Sequence, residues 1–242
     1  MRRDLKATNA DPWEEEQRTA GAMNKAMFKS AIFDSDGVIV DTVPIHFKAW
    51  KKMFSEYGID FTFDEYKSKV DGIPRYDGAR AILKDISEVE LKKAGDIKQG
   101  YFLEFIEKEK IPVYTSCIDL IKELKSHNKK IAFASSSRNC KRILQKAGII
   151  YLADAIVDGN DITKAKPDPQ IFQLAAERLG CAYTECVVFE DAVLGVEAAV
   201  NGKMLCVGID RYGNPKRLAK ANLVVEDLSE VDYKTIEELF RK

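Results

Sequence analysis

Apolar residues fall along the chain in two rhythms. Short, nearly unbroken runs occupy 28–33, 130–134, 186–189 and 204–207, with a weaker one at 223–225, and each ends in small or acidic residues. Runs of that length without alternation fit strands buried on both faces. Between them, apolar positions recur at helical spacing over 118–126, 139–147, 169–179, 195–201 and 215–221. Strands alternating with helices predict an α/β fold, a parallel sheet with helices on both faces. Ligands of such sheets bind beyond the carboxyl ends of the strands, where the polar residues of this chain gather.

Residues 43–112 break the rhythm. Helical patterns at 46–57, 64–70, 76–83 and 89–109 follow one another without a strand, Pro112 marks the exit, and the α/β alternation resumes near Thr115. The pattern divides the chain into a polar extension over 1–27, an α/β core made of 28–42 and 113–242, and an all-α insertion over 43–112. The extension carries Arg2 and Arg3, but acids and Trp13 follow at 11–16 in place of an apolar signal core, and Met23 and Met27 read as alternative starts.

Composition narrows the function classes. A formal net charge of −1 leaves no electrostatic footprint for nucleic acid or an anionic membrane. No stretch approaches the roughly 18 apolar residues that a bilayer requires. The five cysteines are odd in number and form no C-x-x-C pair, which fits reduced thiols in a cytoplasmic protein better than disulfides or a zinc site.

The candidate chemistry lies at the strand ends. The first run, Ala31-Ile32-Phe33, meets Asp34-Ser35-Asp36-Gly37. Side chains two apart on a strand leave the same side, so both carboxylates share a face. A polar strand end explains the pair; so does a nucleophilic carboxylate whose neighbour handles the leaving-group proton, with Mg²⁺ neutralising the crowded charge. The second strand ends in Ser135-Ser136-Ser137-Arg138-Asn139, hydroxyls at a helix start that suit either a phosphate cradle or a helix cap. Lys166, beside Pro167 in a loop that opens a helix at Pro169, is either a solvated charge or a point charge for a phosphoryl group. Glu190-Asp191 end a further strand, where they suit a helix N-terminus or a Mg²⁺ ion. Taken together, at successive strand ends, the four converge on phosphoryl transfer.

In this order the four motifs resemble those of the haloacid dehalogenase superfamily, over roughly residues 28–230. The resemblance implies a Rossmann-like parallel-sheet core with an inserted helical C1 cap. It implies Asp34 as the nucleophile that forms an aspartyl-phosphate, Asp36 as general acid/base, and Ser135 and Lys166 as ligands of the transferring phosphoryl group. Mg²⁺ would be held by Asp34, the Asp36 main-chain carbonyl, Asp191 and Glu190.

Within that superfamily the chain is most similar to the β-phosphoglucomutase family. Residues 41–50, which include His46 and Trp50, resemble the passage from core to cap; Gly72-Ile73-Pro74-Arg75 resembles the cap loop, and 135–139 the phosphate-binding turn. The resemblance implies that His46 couples cap closure to the acid/base. Trp50, Gly72 and Ser136 would line the substrate, although Trp50 reads first as core packing between cap and core. Arg75, Ser137, Arg138 and Asn139 would hold the non-reacting phosphate. The expected reaction is interconversion of β-D-glucose 1-phosphate and D-glucose 6-phosphate through the 1,6-bisphosphate, which would also serve as activator. A sugar-phosphate phosphatase is the alternative, an inactive phosphosugar-binding module the remote one. The expected partner is a small phosphorylated sugar and the expected assembly a monomer. Three positions depart from the family. Arg138 stands where the family commonly has lysine. Ser35 replaces an apolar residue and points away from the two acids. The cap lysine that precedes a tyrosine by four falls, counted from Tyr101, on Ile97, with Lys98 one residue later; either the helix is shifted or that contact is lost.

Overall fold

The computed structural model describes residues 27–71 and 73–242. The extension through residue 26 and Gly72, expected in the substrate loop, lie outside the described residues. Six strands make one parallel sheet in the order β3-β2-β1-β4-β5-β6. They are β1 (Ser30–Asp34), β2 (Lys130–Ala134), β3 (Ala155–Val157), β4 (Cys186–Glu190), β5 (Leu205–Ile209) and β6 (Leu223–Val225). The apolar runs become the buried strands, as two-sided burial requires. Three-residue β3, at the sheet edge, is not among the runs the pattern predicts. The chain lays β2 and β3 on one side of β1, then returns to build β4, β5 and β6 on the other, so the order reverses between β1 and β4.

Helices α4 (Thr115–Ser126), α5 (Cys140–Lys146) and α8 (Tyr233–Arg241) bury one face of the sheet, and α6 (Gln170–Leu179) and α7 (Val193–Asn201) the other. Alternate residues of β1 serve the two sides: Phe33 stacks on Phe189 at 4.4 Å between ring centroids, while Ile32 joins Val188 and Phe172. Two expectations are corrected. Residues 215–221 form only a short 3₁₀ turn, Pro215–Leu218. A terminal helix, α8, appears where none was expected, started by the Asp232 carboxylate accepting from Thr235 N and anchored by buried Ile236 and Phe240 one turn apart.

Between β1 and β2 come α1 (Val43–Glu56), a helical turn Phe63–Glu65 running into a π-helical turn Tyr66–Val70, α2 (Arg75–Ile82) and α3 (Glu88–Lys108). Trp50, Met53, Phe54, Phe61, Tyr66 and Leu91 give these helices a hydrophobic cluster of their own. The insertion leaves and rejoins the core at adjacent points, where Asp41 N donates to Pro112 O at 3.0 Å. None of the described helices is long and apolar enough to cross a membrane. The five cysteines stand as free thiols, and all but Cys181 are buried.

Candidate active site

Strand register assembles the first three groups. Asp34 pairs with Ala134, and Phe33 with Phe189, so Asp34, Ser135 and Glu190 emerge side by side from neighbouring strands at the point where strand order reverses. Lys166 enters from the loop ahead of α6. Its Nζ lies 2.5 Å from Asp34 Oδ1 and 2.5 Å from Glu190 Oε1, with the Phe172 ring centroid 4.9 Å away. With 12 % of its side chain exposed, Lys166 is an interior cation and not a solvated surface charge.

Asp36 reaches the site by another route than the one expected. β1 stops at Asp34, and Gly37 N donates to Val40 O at 2.8 Å to close a turn. The two acids therefore meet through the turn and not through strand alternation. Gly37 is needed there twice over: its φ is +88°, and a Cβ would stand 2.3 Å from Asp191 Oδ2. The Asp36 carboxylate accepts from Ser135 Oγ at 3.0 Å and from the Thr42 hydroxyl. Thr42 precedes α1 in the capping position yet makes no capping bond, its hydroxyl being given to Asp36. Burial raises the Asp36 pKa, and the two hydroxyls only partly offset it, which suits a group that carries a proton.

Negative charge exceeds positive here. Burial raises the Asp34 pKa to about 7 against the pull of Lys166, with Glu190 and Asp36 adding to the rise. Asp191 is pushed well above the carboxylate range, first by burial and then by Glu190 and Asp34. Arg217 holds the Asp191 main chain, donating to its carbonyl at 2.7 Å while pairing with buried Asp210 at 2.8 Å. Among the described residues, no three His, Cys, Asp or Glu side chains form a ready group for a metal ion. The reason is that two of the nearby acids, Asp34 and Glu190, are turned to Lys166. Glu190 is doubly engaged, since its Oε2 also accepts from Ala192 N at 2.6 Å while its Oε1 meets Lys166. Hard oxygens that fit a divalent cation remain: the Asp191 carboxylate, the Asp34 oxygen that Lys166 does not hold, and the Asp36 carbonyl.

The hydroxyls of the turn after β2 bond its own backbone. Ser135 Oγ accepts from Ser137 N at 3.0 Å and Ser137 Oγ from Asn139 N at 3.2 Å, which leads the chain into α5. Ser136 and Arg138 are exposed, Ser137 and Asn139 half-buried. Asn160 Nδ2 donates to Arg138 O at 3.2 Å and braces the turn from behind.

The cap contributes a cluster on α1, α2 and α3. Half-buried His46 stacks on Phe102 with centroids 4.0 Å apart, and its Nδ1 lies 3.0 Å from Lys98 Nζ. Burial and the Lys98 charge hold the imidazole neutral, so that Nδ1 accepts from the ammonium. Lys98 is 4 % exposed. The count from Tyr101 is corrected: α3 buries Leu91, Ala94, Gly95, Lys98, Phe102 and Ile106, a stripe at helical spacing, so Lys98 pairs with Phe102 and faces the site. A lysine in the middle of an apolar stripe was the sequence signal for it. Trp50, expected to line the substrate, is 3 % exposed, stacked on Phe54 within the cap, and 5.0 Å below the Lys98 ammonium. Arg75 opens α2, donates to Tyr76 Oη at 2.8 Å, pairs with Asp96 at 3.3 Å and adds to the lowering of the Lys98 pKa.

Burial, with Arg75 second, brings the Lys98 pKa down to about 7. Between that value and the ordinary lysine range the unfolded chain holds a proton that the folded chain lacks. Stability on this account rises as pH climbs through the window, and its cost is fully present below it. Lys98→Met is therefore expected to be more stable than the wild type at pH 6, on the order of 2–4 kcal/mol, with the gain vanishing above pH ~10. Denaturant unfolding of both proteins at the two pH values checks this; a gain independent of pH would mean that the charge is not the cause.

Comparison with known proteins agrees with this geometry. A model of the haloacid dehalogenase-like hydrolases matches residues 28–202. A β-phosphoglucomutase of Bacillus subtilis is 34 % identical over 219 residues, covering 87 % of this chain and 94 % of its own. A phosphorylated carbohydrates phosphatase of Thermotoga maritima is 32 % identical over 193 residues, covering 76 % of this chain and 84 % of its own. The crystal structure of a β-phosphoglucomutase from Clostridium difficile superposes with a TM-score of 0.79 at 31 % identity, over 89 % of this chain and 98 % of that one. Mutases and phosphatases of phosphorylated sugars thus both stand among the relatives.

Proposed function

The chain belongs to the haloacid dehalogenase-like hydrolases, and we propose that within this family it is a phosphomutase acting through an aspartyl-phosphate, interconverting β-D-glucose 1-phosphate and D-glucose 6-phosphate. The observation that carries the mutase reading is Lys98. Among the described residues no carboxylate stands within ion-pair distance of this buried ammonium, which the cap presents beside His46 and within electrostatic reach of Asp36 and Arg75. An uncompensated interior cation is costly, and its place facing the cleft suits an anionic substrate. A phosphatase needs only the core motifs; handing the phosphoryl group to a sugar needs a cap that grips the second phosphate and keeps water out.

In this mechanism Asp34, already phosphorylated, delivers its phosphoryl group to the free hydroxyl of the substrate while Asp36 takes the hydroxyl proton. The bisphosphate turns over in the cleft. Asp34 then attacks the other phosphorus, the P–O bond to the sugar breaks, and Asp36 returns the proton to the leaving oxygen. Lys166 and Ser135 hold the transferring group throughout. Asp34, Asp191 and the Asp36 carbonyl would hold Mg²⁺, which when bound neutralises phosphoryl and carboxylate charge.

The test is incubation with Mg²⁺, β-glucose 1-phosphate and a trace of β-glucose 1,6-bisphosphate, following glucose 6-phosphate and free phosphate. Isomer in large excess over phosphate is expected, and phosphate with negligible isomer would make the protein a phosphatase. Arg75→Ala is expected to lower kcat/KM for isomerisation by about 10²-fold, the worth of a charge-assisted bond to phosphate, and to change hydrolysis of p-nitrophenyl phosphate far less. Equal losses on both substrates would remove Arg75 from second-phosphate binding.

A further inference from the structure

The loop after β5 ties together parts of the site that the mechanism treats separately. Asp210, at its start, is the buried partner of Arg217, and through Arg217 it steadies Asp191. Arg211 Nε donates to Gly37 O at 3.3 Å, its Nη1 pairs with Asp227 at 2.7 Å, and its guanidinium lies 3.7 Å from the ring centroid of Tyr114, where the chain leaves the cap. This loop is thus fastened to both carboxylate-bearing turns of the core. Its next residue, Tyr212, reaches across to the cap.

The Tyr212 phenol oxygen accepts from Lys67 Nζ at 2.9 Å, and the same ammonium lies 4.1 Å from the Tyr212 ring centroid. Lys67 also pairs with Asp71, which accepts from Tyr66 Oη at 2.9 Å. Asp71 is the root of the loop that leads to Arg75. Among the described residues, the other side-chain hydrogen bonds that join the body of the cap to the core run from Arg142 and Lys146 to Glu107, at the end of α3 where the insertion rejoins the core. Those contacts sit beside the hinge. The Lys67–Tyr212 contact instead ties the core to the cap segment that ends at Asp71, four residues before Arg75.

We propose that Tyr212 is a positioning residue for this reaction. By receiving Lys67 it latches the root of the 71–75 loop to the core, which sets where Arg75 stands and so whether the phosphoryl group passes to a sugar hydroxyl or to water. This deepens the mutase reading and rests on it. An ammonium over a half-exposed aromatic ring, together with one hydrogen bond, shifts an open–closed equilibrium by about tenfold.

A double-mutant cycle on the full chain tests the latch, using Tyr212→Leu, Lys67→Met and the double variant. kcat/KM is measured for the phosphosugar that the wild type turns over and for p-nitrophenyl phosphate, which has no second phosphate for the cap to hold. Each single change is expected to lower phosphosugar kcat/KM about tenfold and to raise the share of free phosphate among the products. The double variant should be no worse than either single one, because the two side chains act as a unit. Hydrolysis of p-nitrophenyl phosphate should stay within about twofold, and amide exchange over 66–71 should quicken in Tyr212→Leu while the sheet is unchanged. Additive losses, or equal losses on the aryl phosphate, would overturn the latch. A wild type that isomerises while the cycle is additive loses the latch alone. One that only releases phosphate loses the mutase reading, and the cycle is then read on its hydrolysis of the same phosphosugar.

Discussion

Replacing Asp34 with Asn is expected to abolish turnover of every phosphoester the protein accepts, by about four orders of magnitude or more. The carboxylate ends a fully buried strand and is 6 % exposed, and its Oδ1 is held by Lys166, which leaves its other oxygen for phosphorus in the proposed mechanism. An amide occupies the same volume and keeps a hydrogen-bonding oxygen, but it is no nucleophile. The fold should survive, because the change removes one buried charge from a crowd that already outnumbers its cations, and what the Lys166 pair loses is offset by a smaller desolvation cost. Thermal unfolding close to that of the wild type, with no phosphoenzyme trapped on a rapid acid quench, is the expected pair of results. A variant with near-native rate would show that Asp34 is not the nucleophile.

Lys166→Met is expected to be the most destabilising single change in the site. It leaves Asp34 and Glu190, with side chains 9 % and 1 % exposed, beside each other without their shared cation. Removing one partner of a buried pair costs about 3–5 kcal/mol. The pH dependence follows from the direction of the shifts. Lys166 pulls the Asp34 pKa down, so without it the value moves above the present about 7. A carboxylate whose folded pKa is raised stabilises fully only below its unfolded pKa, near 4, and loses that contribution as pH climbs towards the folded value. The wild type loses that contribution equally up to about pH 7, so the stability deficit of Lys166→Met should be level from pH 4.5 to about 7 and grow above it, read from urea unfolding at each pH up to 9. A constant deficit would show that packing, and not charge, is what Lys166 supplies. Its activity should fall by about 10²–10³, since positioned charge is the main means of catalysis in phosphoryl transfer.

Most of the sheet was legible because burial on both faces leaves a local trace, an unbroken apolar run, in each long strand. β3 and α8 were not: β3 follows the apolar turn Ile150–Leu152 closely and does not stand out as a run of its own, and α8 depends on the cavity that Ile236 and Phe240 fill. In the site, Asp34, Ser135, Lys166 and Asp191 were legible as residue types at strand ends. Thr42 was not, because nothing in the order of residues says that its hydroxyl turns from the helix to Asp36. That Glu190 lies beside Lys166 was not legible either, because the two meet only in the folded chain. Lys98 was misplaced by counting from Tyr101, although its position on the buried stripe of α3 already pointed to Phe102.

By itself, then, the order of residues determined the α/β alternation, the helical insertion and which polar groups stand at the strand ends, since each is written in short-range spacing and in the chemistry of single side chains. Only the tertiary structure decided which carboxylates meet Lys166, that Asp36 reaches the site through a turn, and that Lys98 meets His46 and Tyr212 meets Lys67 from elements far apart in the chain. The reason is physical. Desolvation and Coulomb energy depend on which atoms stand within a few ångströms, and those atoms come from segments that only the sheet order and the closing of the cap bring together.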